Sequence, residues 1–208
     1  MMITACLQKF TSNPQLIWLI SVSLRLRKGQ IRGERMETSK MKYVFPVGLF
    51  LAFLLDGTLS SILASQMFTS NVAIESRLIL FWFVLAIFYG DEKVEHIYVW
   101  AFLSGLLFDV YYTGFLGIMT IIVPFIVYLN REATQFFGKA PFIMILLIYL
   151  IDITILTAIN YFAFSLIGQA STQFDEFVMR VLWPTLVYNI ALFVILFVPV
   201  KKVFTDIS

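Results

Sequence analysis

Residues 101–129 read AFLSGLLFDVYYTGFLGIMTIIVPFIVYL, two apolar segments joined by a tight polar corner, and the rest of the chain is arranged around that hairpin. Read as helices, its first half sets Ala101, Gly105 and Asp109 on one face, a small-residue stripe that ends in a carboxylate. Its second half sets Gly117, Thr120, Pro124 and Tyr128 on one face. Many packed membrane hairpins share such a pattern, so the surrounding chain has to narrow the reading.

Composition narrows it first. A chain of 208 residues that is 60% hydrophobic, 17% aromatic and 13% charged has no soluble composition, and it reads as an all-α polytopic membrane protein. Twenty-two Phe against ten Gly and six Pro argue against disorder, because apolar surface is plentiful. The single cysteine, Cys6, permits neither an internal disulfide nor a thiolate cluster.

Along the chain, residues 1–42 form a basic N-terminal extension with one short apolar run, residues 16–24. That run falls short of the about 20 residues a span needs. Its basic cluster follows the run, the reverse of a cleavable leader. Three readings stand: a mis-assigned start, with Met36 or Met41 as the true one; a disordered basic tail; or an interfacial helix on an anionic leaflet.

Residues 43–202 read as a six-helix transmembrane domain. The expected spans are residues 43–67, a short second span at 78–89, then 97–110, 115–129 after a turn at 111–114, 141–167 and 181–200. Residues 71–77 read as a polar turn outside the first two, and the second span either borrows residues 74–77 or sits where the bilayer thins. Residues 130–140 read as a connector. Every Lys and Arg except Arg77 and Arg180 falls on the cytoplasmic side if both termini are cytoplasmic. Without the extension, Lys93, Arg131, Lys139, Lys201 and Lys202 still outvote those two arginines.

Polar groups inside the spans need partners, since a charge at mid-membrane costs about 2.5–3.5 kcal/mol on insertion scales. Asp56, Asp152, Asn160 and Asn189 are read as one buried polar layer, completed by Ser60, Thr157 and Thr185, with at least one carboxyl neutral and donating a hydrogen bond. Asp109 lies about one turn from the outer corner, where Arg77 and Arg180 also begin their spans. It either pairs with one of these arginines or caps the corner and faces water. Gly57, Ser61 and Ser65 form a second small-residue stripe for helix packing or a partner interface, alongside Ala101, Gly105, Asp109 and Gly117. Phe81, Trp82, Phe88, Tyr89, Trp100 and Trp183 read as lipid-facing bulk and interfacial anchors. The lone His96 beside Glu92 and Glu95 makes a solvated border, and no catalytic, metal or cofactor role attaches to any residue. Nothing suggests nucleic-acid binding.

The string Gly105-Leu106-Leu107-x-Asp109, followed by Leu116-Gly117 and Tyr128-Leu129, resembles the bacterial rod shape-determining family MreD. The likeness extends from Met41 to the carboxyl end and to six spans with small loops. The resemblance implies a non-enzymatic scaffold in the cell membrane that regulates peptidoglycan synthesis during elongation. Its implied partners are MreC, MreB, and RodA with its class B transpeptidase. It also implies a fold similar to the substrate-binding subunits of energy-coupling-factor transporters, and such a transporter subunit is the competing function. A transporter would need an outward cavity of about 300 Å³ or more lined by polar groups.

Overall fold

The computed structural model describes residues 41–59, 68–69, 72–90, 94, 96–113, 117–138, 140–166, 168 and 173–207. Ser60, Ser61, Ser65 and the basic segment before Met41 lie outside the described residues. Among those described the protein is all-helical, apart from one antiparallel pairing of Phe68–Thr69 (β1) with Val72–Ala73 (β2). Six helices follow one another: α1, Met41–Leu59; α2, Leu78–Tyr89; α3, Ile97–Phe108, continued by a π-helical turn Asp109–Thr113; α4, Ile118–Phe137; and α5, Phe142–Leu166. The last, α6, opens at Phe174–Phe177, passes a π-helical turn Val178–Leu182 and continues as Trp183–Ile207. Of these, α1, α5 and α6 are long and apolar enough to cross a membrane.

The second helix sits at the centre. Its sequence LILFWFVLAIFY is apolar all round, and every residue from Leu78 to Ala86 is buried. A helix without a polar face belongs in a core. Its brevity therefore reflects where it starts, inside the protein. Residues 74–77 before it are not helical, so the helix borrows nothing from them. Nor is that stretch an external turn: Ser76 and Arg77 are each 5% exposed. Phe81 and Trp82, expected to face lipid, are buried instead, and the Trp82 indole donates to the Phe45 carbonyl at 3.1 Å. Trp183 does lie on the surface, 64% exposed.

Among α2 to α6, the hairpin of α3 and α4 has the most extensive contact of any helix pair. Gly105 is the reason. A Cβ there would overlap the Met119 carbonyl oxygen and stand 2.9 Å from the Thr120 Cα, so the two backbones touch. Ala101 and Ser104 are buried at the same seam. The opposite face of α3 stays open at Val99, Phe102, Leu103, Leu107 and Val110.

Two helices differ from expectation in where they start or end. Helix α4 continues through Asn130 to Phe137, because a backbone ladder does not stop where the side chains turn polar. Helix α6 likewise starts earlier and ends later than residues 181–200.

Candidate functional site

Helix starts expose amide N–H groups that lack intrahelical acceptors. Both α2 and α4 begin without a capping side chain of their own: Arg77 and Gly117 occupy the N-cap positions and supply no side-chain bond. The missing acceptors arrive from elsewhere in the chain.

Asp56, on α1, serves α2. Its Oδ1 accepts from the Ser76 hydroxyl at 2.6 Å and the Leu78 amide at 2.8 Å, and Oδ2 accepts from the Ile79 amide at 3.1 Å. Asp109, in the π-helical turn after α3, does the same for α4. Its Oδ1 accepts from the Met119 amide at 2.9 Å, while Oδ2 accepts from the Gly117 amide at 2.8 Å, the Thr120 amide at 3.0 Å and the Thr120 hydroxyl at 2.7 Å. Each carboxylate also faces the positive end of a helix dipole, which adds up to about 2 kcal/mol in partly buried geometry. Two acids thus lock neighbouring helices together.

Asp109 is fully buried, so it does not cap a wet corner. The expected pairing with Arg77 or Arg180 is also corrected: Arg77 pairs with Glu75, and Arg180 pairs with Glu176 at 3.4 Å. The physical reason is the density of backbone donors at the start of α4, which fill both carboxylate oxygens. Gly117 has φ of 115° with nothing near an added Cβ. Its role is the left-handed turn into α4, where a side chain would be strained, and helix packing does not involve it. Gly57 leaves room for the Tyr112 phenol, which a Cβ there would overlap; Ser61, its expected companion, lies outside the described residues.

The expected polar layer separates into two clusters. One gathers around the non-helical stretch 74–77 before α2. The Asn189 Oδ1 accepts from the Arg77 amide at 3.0 Å, and its Nδ2 donates to the carbonyls of Glu75 and Thr185, both at 2.8 Å. The Glu75 amide donates to the Thr185 hydroxyl at 3.2 Å. The Tyr149 hydroxyl lies 3.2 Å from the Arg77 carbonyl and 3.1 Å from Asn189 Oδ1. A backbone segment with no ladder of its own is satisfied by side chains of α5 and α6. The Arg77 guanidinium lies 5.9 Å from the Phe108 ring centroid, and its Nε has no hydrogen-bond partner. Beside it a cavity of about 20 Å³, bounded by Asp56, Arg77, Phe108 and Met119, has room for one water.

The other cluster is one bond. Asp152 accepts from the Asn130 amide at 2.6 Å, joining α5 to α4. It has no described contact with Asp56. The Thr157 Oγ1 and Asn160 Oδ1 are buried without a hydrogen-bond partner, so neither completes a layer. Sequence reading missed Ser76, Tyr149 and Asn130, and it placed Thr120 on a helix face without joining it to Asp109. Tyr149 had one signal, its place one turn before Asp152 in an otherwise aliphatic run.

An outcome follows for the second cluster. Asn130→Leu alone strands a buried Asp152, and Asp152→Leu alone strands the Asn130 amide. Each should lower thermal stability by about 1–3 kcal/mol, while the double substitution should cost less than the sum of the two. Unfolding in detergent of the four proteins of the cycle measures it.

The family model for rod shape-determining protein MreD matches residues 41–207. The Rod shape-determining protein MreD of Bacillus subtilis (strain 168) is 23% identical over 170 residues, 80% of this chain and 95% of that relative. No solved structure matches the chain. The matched stretch opens at the first residue of α1 and closes at the last of α6, so it takes in both carboxylate caps and the Asn189 cluster. With that coverage the chain belongs to the rod shape-determining protein MreD family, membrane proteins with a role in cell shape.

Proposed function

We propose that this protein is a non-enzymatic, six-span scaffold of the cell-elongation machinery, both termini cytoplasmic, which couples MreC and MreB to RodA and its class B transpeptidase. One observation carries this reading. The intramembrane acids that would serve chemistry, Asp56 and Asp109, are occupied as acceptors for helix starts. Their work is architectural. The stripe Ala101, Gly105 and Asp109 is consumed inside the chain, which leaves the apolar face of α3 opposite it as the surface for a partner helix.

A transporter subunit sharing the fold of energy-coupling-factor substrate-binding subunits remains the competing reading, and it asks for a polar-lined chamber. Among the described residues, the cavity of about 470 Å³ is bounded by apolar side chains, and the one beside Arg77 is far too small for a nutrient. That contrast favours the scaffold.

Co-expression with MreC tests it. The full chain should co-purify with MreC in detergent, and Phe102→Ala with Leu103→Ala should lower recovery about fivefold or more without moving the unfolding midpoint, as expected for exposed anchors. Undiminished recovery would remove α3 as the interface. Failure to co-purify at all, with tight binding of a vitamin or metal ion by the isolated chain, would favour the transporter. Depletion should round or swell cells.

A further inference from the structure

Between α1, α2 and α6 runs a groove of about 470 Å³, floored by Trp82 and Phe81 and walled by Val47, Leu51, Leu196 and Val200. We infer that it holds one acyl chain of an anionic phospholipid, whose headgroup meets Lys42 and Lys202. Neither residue takes part in the scaffold contacts proposed above.

Three features fix the occupant. The groove follows α1 from Tyr43 to Leu55, about 18 Å at the helical rise. That is close to one leaflet of a hydrocarbon core about 30 Å thick. Its volume, about 470 Å³, is in the range of a small-molecule pocket. A hydrocarbon chain can be taken up whole in such a space, whereas a helix with side chains, about 10 Å across or more, could only lie against its mouth. The groove is apolar along its walls, yet one end is basic. Lys42 precedes the lining residue Tyr43, and Lys202 lies between the lining residues Val200 and Val203; both lysines are exposed. Lys201, between them, is turned over the Tyr89 and Phe197 rings at 4.9 and 5.6 Å from their centroids. Asp206 is the one described carboxylate of α1 and α6 at that end, so the charge there favours an anionic headgroup.

Native mass spectrometry of the full chain, released from detergent micelles doped with palmitoyl-oleoyl phosphatidylglycerol or phosphatidylcholine, tests the assignment. The expected result is one phosphatidylglycerol retained at activation energies that strip phosphatidylcholine. Lys42→Gln and Lys202→Gln should each lower that preference about fivefold. Val47→Trp, which fills the slot from an exposed wall, should abolish retention of either lipid at unchanged helicity, with Leu51→Trp as the second variant should Val47→Trp misfold. Equal retention of the two lipids, or retention that survives both tryptophan variants, overturns the proposal. A dimer that the tryptophan variants dissociate names a second copy as the occupant and overturns it too. All of these are read on the isolated protein, so they fail or succeed independently of MreC recovery.

Discussion

Asp109→Leu should leave almost no folded protein in the membrane. The buried carboxylate accepts from three backbone amides and one hydroxyl at the start of α4. Each buried donor left stranded costs about 1–3 kcal/mol. The sum, about 4 kcal/mol or more, approaches the whole stability of a typical domain. Asp109→Asn is the graded test. One amide oxygen still accepts, but the other position now carries donors that face donors. Its unfolding midpoint in detergent should fall between the parent and Asp109→Leu. An Asp109→Leu protein that accumulates and melts like the parent would sink the capping role. Asp56→Leu should behave alike at α2, where three donors lose their acceptor.

Gly105→Ala should destabilise, against the usual sign. In an unconstrained helix interior that change gains about 1 kcal/mol through backbone entropy and propensity. Here the new methyl meets the carbonyl oxygen of Met119 and the backbone of Thr120, neither of which swings aside as a side-chain tip does. The helices must separate, and overpacking of that kind costs about 1–3 kcal/mol, enough to reverse the gain. Gly105→Val should be worse again. Thermal unfolding of a fluorescent fusion, run on the two variants beside the parent, checks the order. Because Gly105 also aligns Asp109 with α4, the losses at the two positions should not add independently.

These two residues also show what a sequence reveals about such a protein. The apolar runs ended where charges or glycines stood, so the starts and stops of α2 and α5 were legible almost to the residue. The closeness of α3 and α4 was legible too, because a glycine in a small-residue stripe has few other uses. The partner of Asp109 was not. A carboxylate prompts a search for cations, and Arg77 and Arg180 were at hand. Its true partners are main-chain amides, which every residue carries and no letter marks. The same blindness hid the Asn189 cluster, where the groups served are the backbone of Glu75 and Arg77. All-round hydrophobicity of α2 signalled a core helix, but its length drew attention to bilayer thickness instead. Asn130 was assigned to a connector because polar letters follow it, although the helix carries on and the residue meets Asp152.

The amide of Arg77 finds its acceptor at Asn189, 112 positions later in the chain. A nascent polypeptide therefore delivers α1 and α2 to the translocon long before the residue that completes the entry to α2 has left the ribosome. Until then the stretch ahead of α2 must stay hydrated or be shielded by a chaperone, since hydrocarbon offers its amides nothing. Assembly of this protein should therefore finish with the docking of its last helix, and a chain truncated within α6 should fail to fold stably.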